Sequence, residues 1–237
     1  MGKTILGTWL FLVLILQHGY GQNIEVNTKR GKSKGKIERQ IAEEQIKNLK
    51  KGILLIRLST KSQTLETIRE KGYDQKANEM EADQIALNKA IATTFPVNIK
   101  FCKTAFFYSE ETDKLISKDF DNMKFMNGQL NEIPNPLVND VYYLVLDLAI
   151  LKERDPRYDT YRQVVTEKGI ENKPVYYSSS NLRLPAFVVK DQNLEQLTDP
   201  FPYYVRAYSL EPEIDRILLA ARKLNKSLFK FYKKATR

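Results

Sequence analysis

The sequence predicts an α/β fold: a single-domain sandwich with a mixed, largely central β-sheet, flanking helices and a long C-terminal helix. Three observations predict it. Runs of near-continuous apolar residues, in GILLIRL, TAFFYS and VYYLVLDLAI, suit strands covered on both faces. Segments with helical apolar spacing alternate with those runs. The chain then closes on a long amphipathic stretch that starts near Pro212, a suitable first helical residue.

The elements follow in order. Lys3, then the apolar run Ile5 to Leu16, then Gly19-Tyr20-Gly21, reads as a signal peptide over 1–21, cut after Gly21. The run is about a dozen residues, short of the roughly 20 that span a bilayer, and no cysteine follows it to carry a lipid. Residues 22–36 are polar and basic with two glycines, a flexible leader. The single domain occupies 37–237. Ile37, Ile41, Ile46 and Leu49 recur near helical spacing, and Lys50-Lys51-Gly52 stops that helix. A strand follows from Ile53, then helices over Ser62–Lys71 and Asp74–Phe95, the second with Met80, Leu87, Ile91 and Phe95 on one face and ended by Pro96. Thr104–Ser109 is a strand, Glu110–Ser117 a short helix, and MKFMNGQLNEI a hairpin turning at Asn127-Gly128. Val141–Ile150 is the strongest strand and is placed centrally. LKERDPRYDTYRQVVTEKG reads as a loop with a helical turn; Pro174–Ser180 and Pro185–Asp191 read as short strands. In the last helix Ile214, Leu218, Ala221, Leu224, Leu228 and Phe231 form the apolar stripe. Its acidic start and the lysines at Lys226, Lys230, Lys233 and Lys234 match the helix dipole.

Composition excludes several chemistries. The only histidine, His18, and the only tryptophan, Trp9, lie in the segment expected to be removed, so the mature chain has no imidazole for a Ser-His-Asp, Cys-His or zinc–histidine site. The one cysteine, Cys102, can form no internal disulfide, and Phe101 beside it makes a buried small hydrophobe the natural reading. No metal and no cofactor are expected. The formal charge of +9 falls by one with Lys3. A basic exported protein can meet anionic glycans, lipid head groups or nucleic acid, but a lysine-rich solvated surface gives the same number, and nucleic acid is not an expected partner.

Near-motifs fail on geometry. GKSKGK lacks the P-loop spacing and a preceding strand. Asp119-Phe120-Asp121 starts like a calcium loop but carries Lys124 where a glycine must turn. Ser227 and Lys230 match S-x-x-K, with Ser179-Ser180-Asn181 and Lys103-Thr104-Ala105 near the companion motifs, but the chain order is reversed.

Two features remain. Asp147 interrupts the strongest strand and Asp191 ends another; carboxylates roughly 5–9 Å apart at strand ends would suit glycoside hydrolysis, while separate ones would serve a polar face and a turn. In DPFPYYVRAYS, the prolines confine the strand to a start at Tyr203 and to a sheet edge. Tyr203, Val205 and Ala207 would face a core, and Tyr204, Arg206 and Tyr208 the other side. Phenols around a guanidinium can bind a sugar, base or carboxylate, in a surface shared with Tyr142, Tyr143, Tyr176 and Tyr177; alternatively they only cover the edge. The Phe201-Pro202 bond is a candidate for cis geometry.

EADQIALNKAI, FCKTAFFYS and PAFVVKDQNLEQLTDPFPYYVR resemble segments of uncharacterised exported proteins of Gram-negative bacteria, from roughly Ile53 to Tyr232. The resemblance implies an envelope location, periplasmic or secreted, and transfers no activity and no catalytic residue. The functional expectation is a non-enzymatic exported protein that binds a small ligand, glycan or envelope protein through Tyr204, Arg206 and Tyr208. The alternatives are a carboxylate-dependent glycan hydrolase using Asp147 and Asp191, and a basic surface protein contacting anionic polymer.

Overall fold

The computed structural model describes residues 32–137, 140–151, 161–166, 169–174, 185–207 and 213–237. Helix α1 runs over Lys32–Lys51, so it begins inside the segment expected to be a leader. Residues 35–41 are all exposed. The buried stripe is Ala42, Ile46 and Leu49, whereas Ile37 and Ile41 are 50% and 51% exposed. Strand β1 (Ile53–Leu58) follows, then α2 (Ser62–Glu70) and α3 (Asp74–Asn98). Pro96 lies inside the last turn of α3 rather than ending it, with Ile99 still donating to the Phe95 carbonyl.

Strand β2 (Lys103–Tyr108) leads through a single 3-10 turn into α4 (Thr112–Ser117), and then into the hairpin β3 (Phe125–Met126) and β4 (Glu132–Ile133). The hairpin loop spans five residues, and its left-handed residue is Leu130 at φ 62°. Gly128 is there for space: a Cβ on it would come within 3.0 Å of the Ala92 carbonyl and of the Pro96 ring.

Strand β5 (Tyr143–Ile150) is followed by β6 (Tyr161–Thr166) and β7 (Gly169–Pro174), which pair antiparallel as a separate two-stranded sheet. The expectation of a loop with a helical turn over 151–169 is corrected at 161–166, which form β6; residues 152–160, 167 and 168 lie outside the described residues. The expected strand over Pro174–Ser180 lies outside the described residues beyond Pro174. Strands β8 (Pro185–Lys190) and β9 (Tyr204–Arg206) precede the closing helix α5 (Glu213–Ala235).

The main sheet has the order β4-β3-β2-β1-β5-β8-β9. Strand β1 pairs parallel with β2 and β5, and the antiparallel strands β3, β4, β8 and β9 extend this centre on both sides. Alternation then sorts the side chains. Leu54, Ile56, Leu144, Leu146, Phe187 and Val189 face one side, where α1, α3 and α5 cover them. Ile53, Leu55, Ala105, Phe107, Tyr143 and Val145 face the other, against Leu115 of α4 and the segment carrying Met123 and Phe125. This is the mixed α/β arrangement with the long C-terminal helix.

On α5 the buried stripe is Ile217, Ala220, Ala221, Leu224, Leu228 and Ala235; Ile214 is 59% exposed, and Leu218 and Phe231 are partly covered. Polar contacts fix the helix in place. Asn225 Oδ1 accepts from the Lys100 and Phe101 amides at 2.9 and 3.1 Å, and Arg222 donates to Asn98 Oδ1 at 3.2 Å. Among the described residues no helix is long and apolar enough to cross a membrane.

Candidate functional site

The stretch from Asp199 enters β9 as the sequence suggests, at the edge of the sheet. Phe201 is buried in the first core, edge-to-face with Phe231 at 6.0 Å, and anchors the approach. The cis bond here is Asp199–Pro200. Tyr203 lies just before the strand proper: its amide donates to the Phe201 carbonyl at 2.8 Å, and its carbonyl accepts from the Val189 amide at 2.6 Å. The pairings Phe187↔Val205, Val188↔Tyr204 and Ala186↔Arg206 put Val205 toward the helices and Tyr204 and Arg206 on the opposite face. Tyr208 lies outside the described residues.

An open groove of about 830 Å³ runs between this edge and α5. Tyr203, Tyr204, Val205 and Arg206 line it along the sheet edge, with Val205 on the side that α5 covers. Lys223, Lys226 and Ser227 line it along α5. These three share one helical face through their i, i+3, i+4 spacing, beside the buried Leu224 and Leu228 that hold α5 to the core. The Tyr203 and Tyr204 rings meet at 4.9 Å and 54°, giving the groove an aromatic ledge. Among the described residues, the charged side chains lining the groove are Lys223, Lys226, Arg206 and Asp199.

Of the expected residues, Tyr204 and Arg206 line this groove, together with Lys223, Lys226 and Ser227, which the sequence does not single out for binding. Lys226 was assigned to the helix dipole, but it stands more than a turn from the terminal Lys233 and Lys234. A Lys-x-x-Lys-Ser face is visible in sequence; which strand it opposes is a tertiary fact. The expected partners Tyr142 and Tyr143 do not join the groove. Tyr143 begins β5, four residues or about 13 Å along the strand from the level of Tyr204. Its ring is buried edge-to-face against Phe120 at 5.8 Å. Tyr142 packs on the first core. Tyr176 and Tyr177 lie outside the described residues.

The two carboxylates are not brought together. Asp147 is 7% exposed, and its Oδ2 accepts from Arg57 at 3.1 Å and from Lys190 at 2.8 Å. Arg57 also donates to Thr112 Oγ1, so the carboxylate ties β1, β5, β8 and α4 together. Asp147 is level with Val188, and Asp191 follows three residues on, about 10 Å further along and on the other side of the strand. Asp191 Oδ1 accepts from the Asn193 and Glu195 amides at 2.8 and 2.9 Å, which is a turn role.

Cys102 is half-buried against the first core. Burial pushes its thiol up to about 12 from 9.0, outweighing a hydrogen bond with the Leu54 backbone and the charge of Lys50. Burial, with the charges of Asp191 and Glu44, raises Tyr142 to about 12 from 10.0. The folded state therefore keeps protons that the unfolded chain releases, so stability is complete below about pH 9 and falls as pH rises toward 12. A thiol-reactive dye at pH 8 should leave Cys102 untouched until denaturant is added, and Cys102→Ala should lessen the loss of urea midpoint between pH 9 and 11. Rapid labelling of the native protein would contradict this account.

No protein-family model matches the chain, and no curated protein or solved structure is similar to it.

Proposed function

We propose that this is an exported, non-enzymatic binding protein that takes a small anionic ligand, such as an acidic sugar, in the groove between β9 and α5. The single observation that carries the reading is the pair Lys223 and Lys226 on the α5 side of a groove that also holds the paired rings of Tyr203 and Tyr204. Cations complement a carboxylate, sulfate or phosphate, and tyrosine faces suit a pyranose or another flat ligand. Export is supported by the N-terminal charge, apolar run and small-residue site. The binding reading, against a hydrolytic one, is supported by the separation of Asp147 from Asp191 and by the engagement of each in structural contacts.

The test is native mass spectrometry of the mature chain, followed by titration with matched neutral, uronic-acid, sulfated and phosphorylated oligosaccharides. Anionic members should bind, and Lys223→Ala with Lys226→Ala should weaken them about 10-fold or more without moving the thermal midpoint, since both side chains are exposed. Equal affinity for neutral and anionic sugars, or indifference to the lysine changes, would remove the proposal.

A further inference from the structure

A second cavity, of about 460 Å³, shares no lining residue with this groove. It sits at the carboxyl ends of the parallel strands β1 and β2, where Thr60 and Tyr108 leave the sheet, and is enclosed by α2 and α3. Carboxyl ends of parallel strands are where open α/β sheets place ligands.

One buried atom marks it as a built site. Gln84 and Asn88 stand one turn apart on α3, each 5% exposed. The Ser59 carbonyl can only accept, so Asn88 presents Nδ2 to it, at 2.8 Å. That turns Asn88 Oδ1 toward Gln84, which must answer with Nε2, at 3.0 Å. The chain of donors fixes the amide, and Gln84, which lines the cavity, keeps a buried Oε1 with no hydrogen-bond partner among the described residues. A buried acceptor without a donor is costly, and native proteins retain few of them.

The rest of the wall specifies what donor fits. Its charged groups are Glu66, Glu81 and Glu110 against Arg69 alone. Arg69 is paired with Glu81, and Glu110 accepts from the Ser62 hydroxyl, so the surplus charge is negative although the chain as a whole is formally +9. Leu65, Ile85 and Leu130 supply an apolar side, and the volume exceeds what a bare metal ion would fill. We propose that this cavity binds a small organic ammonium ion, its N–H groups donating to Gln84 Oε1 and its charge held by Glu66 and Glu110, with the methylene portion against the apolar side. The inference is independent of the anion groove and has the opposite charge logic.

The experiment is isothermal titration of the full mature chain with 1,4-diaminobutane, and with 1,4-butanediol as the neutral probe of the same length. Saturable binding of the diamine is expected, weakened about 10-fold or more by Gln84→Leu, several-fold by Glu66→Gln, and unaffected by Lys223→Ala. Glu66 is exposed on α2, so Glu66→Gln reads the electrostatic part even if Gln84→Leu perturbs folding. Absence of saturable binding at millimolar diamine, equal binding of the diol, or diamine affinity indifferent to both Gln84→Leu and Glu66→Gln would overturn the assignment.

Discussion

Gly52→Ala should destabilise the protein by about 3 kcal/mol, the upper part of the range for forced overpacking, and lower its thermal midpoint by roughly 6–12 °C. Gly52 is the joint between α1 and β1. Its amide donates to the Leu49 carbonyl at 3.0 Å, and the next amide, of Ile53, donates to the Tyr142 carbonyl at 3.0 Å. A Cβ at Gly52 would stand 2.1 Å from that same Tyr142 oxygen and 3.1 Å from the Asn48 carbonyl. Both neighbours are backbone, so no side chain can swing aside. The methyl group must part α1 from the start of β5, at the point where the two central parallel strands come into register. Gly35→Ala is the control of opposite sign. Nothing lies within 4 Å of a Cβ there, and alanine should favour that exposed helical position by about 0.5 kcal/mol. Thermal and urea denaturation of the two variants checks both signs; a Gly52→Ala protein of wild-type stability would mean that the α1–β5 approach is looser than described.

Phe187→Ala should cost about 3–5 kcal/mol, and Phe187→Leu under about 1.5 kcal/mol. Phe187 is 1% exposed, in the middle of β8, with its ring 4.8 Å from that of Phe95 on α3. It is also the cross-strand partner of Val205. Removing the ring leaves a cavity under both the α3 contact and the strand that carries Tyr204 and Arg206. The loss should therefore appear twice, as a lower urea midpoint and as weaker anionic-ligand binding, although Phe187 lines no part of the groove. A stability loss with unchanged binding would show that the groove wall is held by α5 and the Phe201 anchor instead.

The legible parts of the fold were those whose burial leaves a mark in one dimension. Ile53 to Ile56 are apolar without interruption because β1 is covered on both faces, and the same holds for the run from Tyr143 to Leu146. The edge position of β9 was readable from its prolines, and strand alternation assigns Tyr204 and Arg206 to one side of it. Other parts left no such mark. Residues 35–41 of α1 are exposed, so any polar helix former serves there. Strands β6 and β7 pair through main-chain groups in a ribbon outside the main sheet. The stripe on α5 was read slightly rotated, because Ile214 fits the spacing yet stands beyond the core while the small Ala220 is buried within it. Gln84 was invisible as a site residue, since a glutamine in a helix is ordinary until burial removes its solvent.

The order of strands carries a consequence for how the chain comes together. Strand β1, the earliest in sequence, is the middle of seven, and the sheet is completed outward from it, with β9 added last at one edge. Helix α5, later still, packs on both α1 and α3 and seals the face bearing Leu54, Ile56, Leu144 and Leu146. Until α5 docks, that face is covered by α1 and α3 alone. The last layer over this face therefore rests on contacts of long sequence separation, between α5 and the much earlier α1 and α3, the kind that form slowly.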